Sequence, residues 1–262
     1  MIEHLRHCSI TAFHKQLNTP EKIIIVETGE GRSLSRSTVS IIIPAYNEEE
    51  TIGKVIAETI SIMNSLGLPY EIIVVDDGST DRTAQVASQH KVNVLFNGRN
   101  RGKGYSIRRA LKHARGDIII TLDSDGEHQP KEIPDLLEPL FNGADIVTGS
   151  RFMQRKKKPT TALNRIGNYF FNTAILSLTG KHVTDSQTGF RAMKKSVIDK
   201  LELEAEGYEI ETEITVKALR NGFTLHETPI SCEKRKHNGS KIRIASDGAK
   251  ILRTIIRARF KP

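Results

Sequence analysis

The sequence has no tryptophan, and aromatic residues make up only 5% of its 262 positions. Proteins that hold nucleic acid by stacking its bases need aromatic platforms, so this scarcity argues against that class in spite of a net charge of +8. Cysteine occurs twice, at Cys8 and Cys232, too sparsely for a disulfide framework or a thiolate metal cluster. Plain thiols in a reducing, cytoplasmic setting are the expectation. No run reaches the roughly 20 apolar residues of a membrane-spanning helix, and the N-terminus lacks the apolar segment of a secretory signal. A soluble or membrane-peripheral protein is expected. Internal repeats and low-complexity tracts are also missing, and with them the solenoid architectures.

A chain of this length suits one large α/β domain with appendages. Residues 1–37 have mixed composition and end in the polar TGEGRSLSRS, and read as an appendage with a linker. From Val39 short β-branched runs alternate with helical periods: VSIII, TIGKVIAETISIMNSL, EIIVVD, DRTAQVASQ, VNVLF, GKGYSIRRALKHA and DIIITLD. That order is βαβαβαβ. The unbroken apolar runs at Ile72 to Val75 and Ile118 to Leu122 suit a parallel sheet covered on both faces, so residues 38–240 should form a Rossmann-like, doubly wound, mostly parallel sheet. Beyond it a strand is expected at Asp145 to Thr148, helices at about Leu163 to Leu178 and Glu209 to Arg220, and a strand at Thr224 to Pro229. Residues 241–262 read as a basic amphipathic helix. Ile251, Leu252, Ile255, Ile256 and Phe260 share one face, and Lys250, Arg253, Arg257 and Lys261 the other. Such a helix either docks on the core or lies on an anionic membrane surface.

Lysine and arginine exceed aspartate and glutamate by 39 to 31, unevenly. Residues 151–158 read RFMQRKKK, and from Lys234 onward ten basic residues face a single acid, Asp247. A phosphate-bearing ligand, an anionic membrane and a polyanionic substrate all fit that surplus.

Ligands of open α/β sheets bind beyond the carboxyl ends of the strands. The first strand ends in Pro44, Ala45, Tyr46, Asn47 and Glu48, the second in Asp76, Asp77, Gly78, Ser79, Thr80 and Asp81, and the fourth in Asp123, Ser124, Asp125, Gly126 and Glu127. Asp81 precedes a helix and is explained as its cap. Asp123, Asp125 and Glu127 concentrate charge where a hard cation would relieve it, so Mg²⁺ or Mn²⁺ is expected, held by carboxylates and completed by a substrate diphosphate.

The blocks IIIPAYNEEETI (41–52), EIIVVDDGSTDRT (71–83), NRGKGYSIRRAL (100–111), GDIIITLDSDGEHQP (116–130) and GSRF (149–152) together resemble the inverting family 2 glycosyltransferases of GT-A fold. Within that family the chain looks most like the dolichol-phosphate and polyprenol-phosphate sugar synthases, through Arg151, Arg165, DSQTGFR (185–191), GYEIE (207–211) and RKHNGSK (235–241). The resemblance implies that Pro44, Tyr46, Glu48, Asp76 and Asp77 line a nucleotide pocket, with Asp76 or Asp77 accepting from the base of a GDP- or UDP-sugar. It places Asp123 and Asp125 at metal and diphosphate and Lys103, between two glycines, near the donor. Related synthases often carry glutamine where Glu127 stands. Arg151 and Arg165 would position a lipid phosphate, with Arg235 and Lys241 near the phosphates of donor or acceptor.

A phosphate acceptor, with a second pKa of about 6, is already ionised and needs cations rather than a base. Arginine serves because its planar fork pairs with phosphate in two places. Asp185 would then orient Arg191 or another cation. With a hydroxyl acceptor on a glycan, the rival within the family, Asp185 would be the natural base. Glu209 and Glu211 either offset a helix dipole or lie near the donor sugar, and Lys156, Lys157 and Lys158 form a solvated loop or face anionic headgroups.

Overall fold

The computed structural model describes residues 37–153, 162–233 and 244–258. The expected appendage at 1–37 therefore lies, but for Ser37, outside the described residues, as do Lys156, Lys157, Lys158, Arg235, Lys241, Phe260 and Lys261.

Among the described residues seven strands form one sheet in the order β3-β2-β1-β4-β6-β5-β7. They are β1 (Val39–Ala45), β2 (Tyr70–Asp76), β3 (Asn93–Phe96), β4 (Ile118–Thr121), β5 (Ile146–Ser150), β6 (Arg191–Lys194) and β7 (Leu225–Pro229). Strand β6 alone runs antiparallel, wedged between β4 and β5. The helices are α1 (Ile52–Leu66), α2 (Thr83–Ala87), α3 (Lys103–Leu111), α4 (Ile133–Phe141), α5 (Ala162–Thr179), α6 (Lys195–Ile198), α7 (Ile210–Arg220) and α8 (Ile244–Ala258).

Alternation along the strands makes the two layers. Ile41 and Ile43 of β1 join Ile52, Val55, Ile56 and Met63 of α1 and Leu136, Leu137 and Leu140 of α4 on one face. Ile42, with Ile73 and Val75 of β2, points the other way, to Ile107 and Ala110 of α3 and Ile210 and Ile214 of α7. On α1 the buried positions recur every three or four residues, as a helix facing a sheet requires. It stops at Gly67, whose φ of 65° gives the left-handed turn that returns its N–H to Asn64 O.

Three elements were not expected: α4, β6 and the four-residue α6. Helix α4 carries prolines in its first turn and at Pro139, which blur its period, and β6 is only four residues long. Helix α2 is five residues rather than the nine of DRTAQVASQ, and α8 covers Ile244–Ala258 of the expected 241–262. The apolar face of α8 is docked: Ile251, Ile255 and Ala258 are buried with Ile175 of α5 and Val216 of α7, while Ile256 stays 53% exposed. Of the two readings of this helix, the core takes its hydrophobic stripe because α5 and α7 offer it a matching one.

Candidate active site

The chain leaves β1 to build β2 and β3 on one side and returns to β4 on the other, so the crevice between strand ends opens beyond β1 and β4. Pro44 lies in β1 opposite Val75, Tyr46 is half-buried just past the strand, and Glu48 is buried with its N–H donating to Thr83 Oγ1 at 2.7 Å. Asp81 Oδ1 accepts from Thr83 N–H at 2.9 Å, but Asp81 lies one residue ahead of the N-cap, Arg82, rather than at the capping position expected of it.

Asp76 and Asp77 point to different tasks. Asp77 accepts from Asn97 Nδ2 at 2.6 Å, Arg101 N–H at 2.9 Å and Gly102 N–H at 2.8 Å. It is a fastener for the turn that opens α3. Asp76 accepts only a long bond from Ser79 N–H, at 3.3 Å on Oδ2, and its Oδ1 is buried without a hydrogen-bond partner among the described residues. A buried carboxylate oxygen left in that state is costly unless a ligand donor meets it, so Asp76 is the one of the pair able to receive an N–H.

Lys103 starts α3 between Gly102, at φ 97°, and Gly104. A side chain on either glycine would strike the backbone of Ala205 or Glu206, so the glycines serve close packing of α3 on the 205–207 segment. That packing sets the Lys103 ammonium 2.5 Å from Asp123 Oδ1 and 2.7 Å from Glu211 Oε1. Burial alone would lower the Lys103 pKa, yet Asp123 and Glu211 raise it above the ordinary lysine value. Burial also works against ionised Asp123, but Lys103, then His128 and Arg151, hold its pKa down, whereas burial pushes Glu211 up. Gly189 backs the pair so tightly that a Cβ there would sit 2.5 Å from both Asp123 Oδ2 and Lys103 Nζ.

A second cation stands at the end of β5. Arg151 donates from Nε to Asp185 Oδ2 at 2.7 Å and from the guanidinium Nη2 to Oδ1 at 2.9 Å, and its backbone N–H reaches Oδ2 at 3.1 Å. Burial is outweighed by Asp185, which raises the Arg151 pKa. Asp185 thus orients Arg151. Arg191 turns away from it, buried, and donates to Thr188 O, Ser186 O and Thr215 Oγ1. Arg165 is exposed near the start of α5.

The acidic loop after β4 does not close into a three-carboxylate cage. Asp123 leans on Lys103, Asp125 Oδ1 accepts from Glu127 N–H at 3.0 Å, and Glu127 Oε2 receives a weak bond from Cys232 Sγ at 3.9 Å. Among the described residues no three His, Cys, Asp or Glu side chains meet in metal-holding geometry. Two hard oxygen donors, Asp123 and Asp125, still fit a cation of the Mg²⁺ class, which keeps waters and takes its remaining ligands from phosphates.

Two residues absent from the expectations belong here. His128, buried and stacked on Phe190 with centroids 5.5 Å apart, has Nδ1 3.5 Å from Asp123 Oδ2 and neither ring nitrogen hydrogen-bonded. Burial lowers its pKa, against the opposing pull of Asp123. Its place in GEHQP directly after the acids was the signal. Glu227 of β7 binds the Thr184–Asp185 backbone, and nothing local in the sequence marks it.

A mostly parallel seven-stranded sheet among the described residues, with acidic side chains gathered beyond the ends of β2 and β4, has the architecture of a GT-A fold. The chain belongs to glycosyl transferase family 2, whose model matches residues 40–202. It is 33% identical over 242 residues to an uncharacterized protein of Methanocaldococcus jannaschii, covering 90% of this chain and 98% of that one. Over 221 residues it is 33% identical to a dolichol-phosphate mannosyltransferase of Pyrococcus furiosus, covering 78% of this chain and 59% of the relative. Over 212 residues it is 35% identical to an undecaprenyl-phosphate 4-deoxy-4-formamido-L-arabinose transferase of Edwardsiella ictaluri, covering 78% and 62%. The chain thus spans about three fifths of the length of these two transferases. Glucosyl-3-phosphoglycerate synthase from Mycobacterium tuberculosis, solved with Mn²⁺, uridine diphosphate and phosphoglyceric acid, has the same fold, with a TM-score of 0.71 at 23% identity over 87% of this chain and 81% of that one.

Proposed function

We propose that the chain transfers a sugar, with inversion, from a GDP- or UDP-sugar to a polyprenyl or dolichyl phosphate. The observation that carries this reading is the Arg151–Asp185 pair. Both carboxylate oxygens of Asp185 are engaged by one guanidinium, so Asp185 is no free base, and what it presents is an oriented cation. A phosphate acceptor requires that and nothing more. Its ionised oxygen attacks the anomeric carbon, the bond from that carbon to the diphosphate breaks, and the electron pair leaves with the nucleoside diphosphate. Asp76 receives the base, Lys103 sets a positive charge at the departing diphosphate, and Arg151, joined by Arg165, holds the acceptor, with Arg235 and Lys241 assigned to the phosphates of donor or acceptor. Most of the acceleration is positioning and charge. A divalent cation held by Asp123 and Asp125, with Glu127 beside them, would supply further neutralisation of the leaving group.

No described helix is long and apolar enough to cross a membrane. The face we assign to an anionic bilayer, at its cytoplasmic side, is the outer stripe of α5, where Ile166, Tyr169 and Phe170 are 67%, 74% and 55% exposed. Arg165 adjoins it, α5 carries no acid, and Arg155 to Lys158 precede it in the chain. The α5 side chains Asn168 and Asn172 hold Thr184, next to Asp185, which links this stripe to the acceptor cation. The test is incubation with a panel of nucleotide-sugars and a short polyprenyl phosphate, with mass analysis of the lipid. A sugar-phosphate-lipid product lost in excess chelator is expected; transfer to a plain sugar hydroxyl in its place would overturn the reading.

A further inference from the structure

The carboxylate of Glu227 collects an unusual set of donors. Thr184 N–H lies 2.9 and 2.8 Å from its two oxygens, the Thr184 hydroxyl 2.9 Å from Oε1, and Asp185 N–H 3.0 Å from Oε1. The same stretch is gripped from the opposite side, where Asn168 and Asn172 donate to Thr184 O at 2.9 and 2.8 Å.

The hydroxyls extend this grip to both neighbours of Arg151. Ser150 Oγ is 2.6 Å from Thr184 Oγ1 and accepts from Phe152 N–H at 3.3 Å. An ionised carboxylate only accepts, so the Thr184 proton points to Glu227 and the Ser150 proton to Thr184. The chain then runs one way, from Phe152 N–H through Ser150 and Thr184 to Glu227. Its direction depends on an acceptor without donors at its end. A glutamine there would set an NH₂ against Thr184 N–H or reverse the chain. Glu227 also brings a second negative charge beside Asp185, with Arg151 and the buried Arg191 as the cations that offset the two. A neutral side chain would satisfy the packing without that repulsion, which points to a role for the charge in aiming its neighbours.

We propose that Glu227 is a positioning residue: by fixing the Thr184–Asp185 peptide and the residues on either side of Arg151, it aims the Arg151 guanidinium at the acceptor phosphate. The proposal rests on the phosphate-acceptor reading above. Glu227→Gln and Thr184→Val are compared with the unaltered protein by three measurements: kcat and KM with a short polyprenyl phosphate, the Kd of GDP and UDP, and the nitrogen-15 resonance and solvent exchange of Arg151 Nε–H, assigned by its loss in Arg151→Lys. In both variants kcat/KM for the acceptor should fall by about 100-fold, since an ångström of misplacement at a reacting pair costs that much. Nucleotide Kd should stay within about twofold, and Arg151 Nε–H should exchange faster.

Unchanged acceptor kinetics, or an unmoved Arg151 signal in both variants, overturns the proposal. So does an equal loss of nucleotide affinity, which would mean a general structural defect. Should Glu227→Gln fail to fold, Thr184→Val decides, because it breaks the hydroxyl chain and leaves Glu227 in place. If the unaltered protein ignores polyprenyl phosphate, the acceptor reading falls, and the Arg151 resonance alone decides the part played by Glu227.

Discussion

Lys103 and Arg151 stand at the same end of the sheet, each pinned by an aspartate, and they solve opposite problems. Lys103 divides one ammonium between Asp123 and Glu211, leaving that cluster with more carboxylates than cations. Arg151 gives one guanidinium to one carboxylate through two N–H bonds, and the pair is closed. A lysine is a compact charge on a rotatable stem, suited to a site whose charge changes when diphosphate and cation arrive. An arginine is a rigid fork, suited to a group whose direction must not change. On the proposed reading, the donor side is electrostatically unfinished and the acceptor side is pre-organised.

Breaking the first cluster should have the largest effect. Lys103→Met leaves half-buried Asp123 and buried Glu211 without their cation, which should cost about 3 kcal/mol and on the order of 10 °C in Tm. Thermal melts with and without Mg²⁺ check it. The ion should stabilise the variant more than the parent, and a second change, Glu211→Gln, should recover part of the loss. A variant as stable as the parent would mean that the cluster is not short of positive charge.

Breaking the second cluster should leave the fold and strike one substrate. Arg151→Lys retains the charge and loses the fork, so kcat/KM for polyprenyl phosphate should fall by roughly 30- to 100-fold while nucleotide Kd holds. Asp185→Asn should likewise lower activity, with no recovery as pH rises, because no titrating base has been removed. A pH profile that shifts instead would return Asp185 to the role of base.

The link from acceptor cation to bilayer is tested by Phe170→Ser. Removing one large apolar group from the α5 stripe should weaken binding to anionic vesicles about tenfold and leave nucleotide Kd untouched. Equal vesicle binding in a flotation assay would take the stripe out of membrane contact.

The smallest effect should come from an ion pair outside the site. Burial acts to raise the Asp145 pKa, but hydrogen bonds from Thr224 and Lys194 outweigh it and hold it below the ordinary carboxylate range. A carboxylate depressed by folding adds stability above its unfolded pKa and loses it as pH falls through the folded value. Asp145→Asn should therefore cost no more than about 1 kcal/mol at pH 7, since solvent screens the pair, and less as pH falls through the folded value, as read by urea titrations at neutral and acid pH. A constant difference would show that the contribution is not ionic.

Local pattern carried most of the donor half. Strands β1, β2 and β4 are unbroken apolar runs, and the polar residues beyond them had to fall at strand ends because a buried parallel strand tolerates few others. That reasoning found Asp76, Asp77, Asp123 and Asp125 but could not separate Asp76 from Asp77. Successive side chains at a strand end face opposite ways, and which of them meets Asn97, Arg101 and Gly102 depends on where α3 packs.

The acceptor half was legible as composition and opaque as geometry. Asp185 comes to Arg151 across 34 positions, and Glu227 to Thr184 across 43, because β5, β6 and β7 are neighbours in the sheet and the turn before β6 lies over their ends. Strand β6, four residues with an arginine at its head, has no period long enough to announce itself, yet the turn before it carries Gly189 to Lys103 and Asp185 to Arg151. Residue types and apolar spacing established the fold class and the kind of chemistry, since both follow from short-range pattern. The choice of which carboxylate guards which cation was left to the packing of distant strands, since an ion pair is decided by ångströms and a sequence records only order.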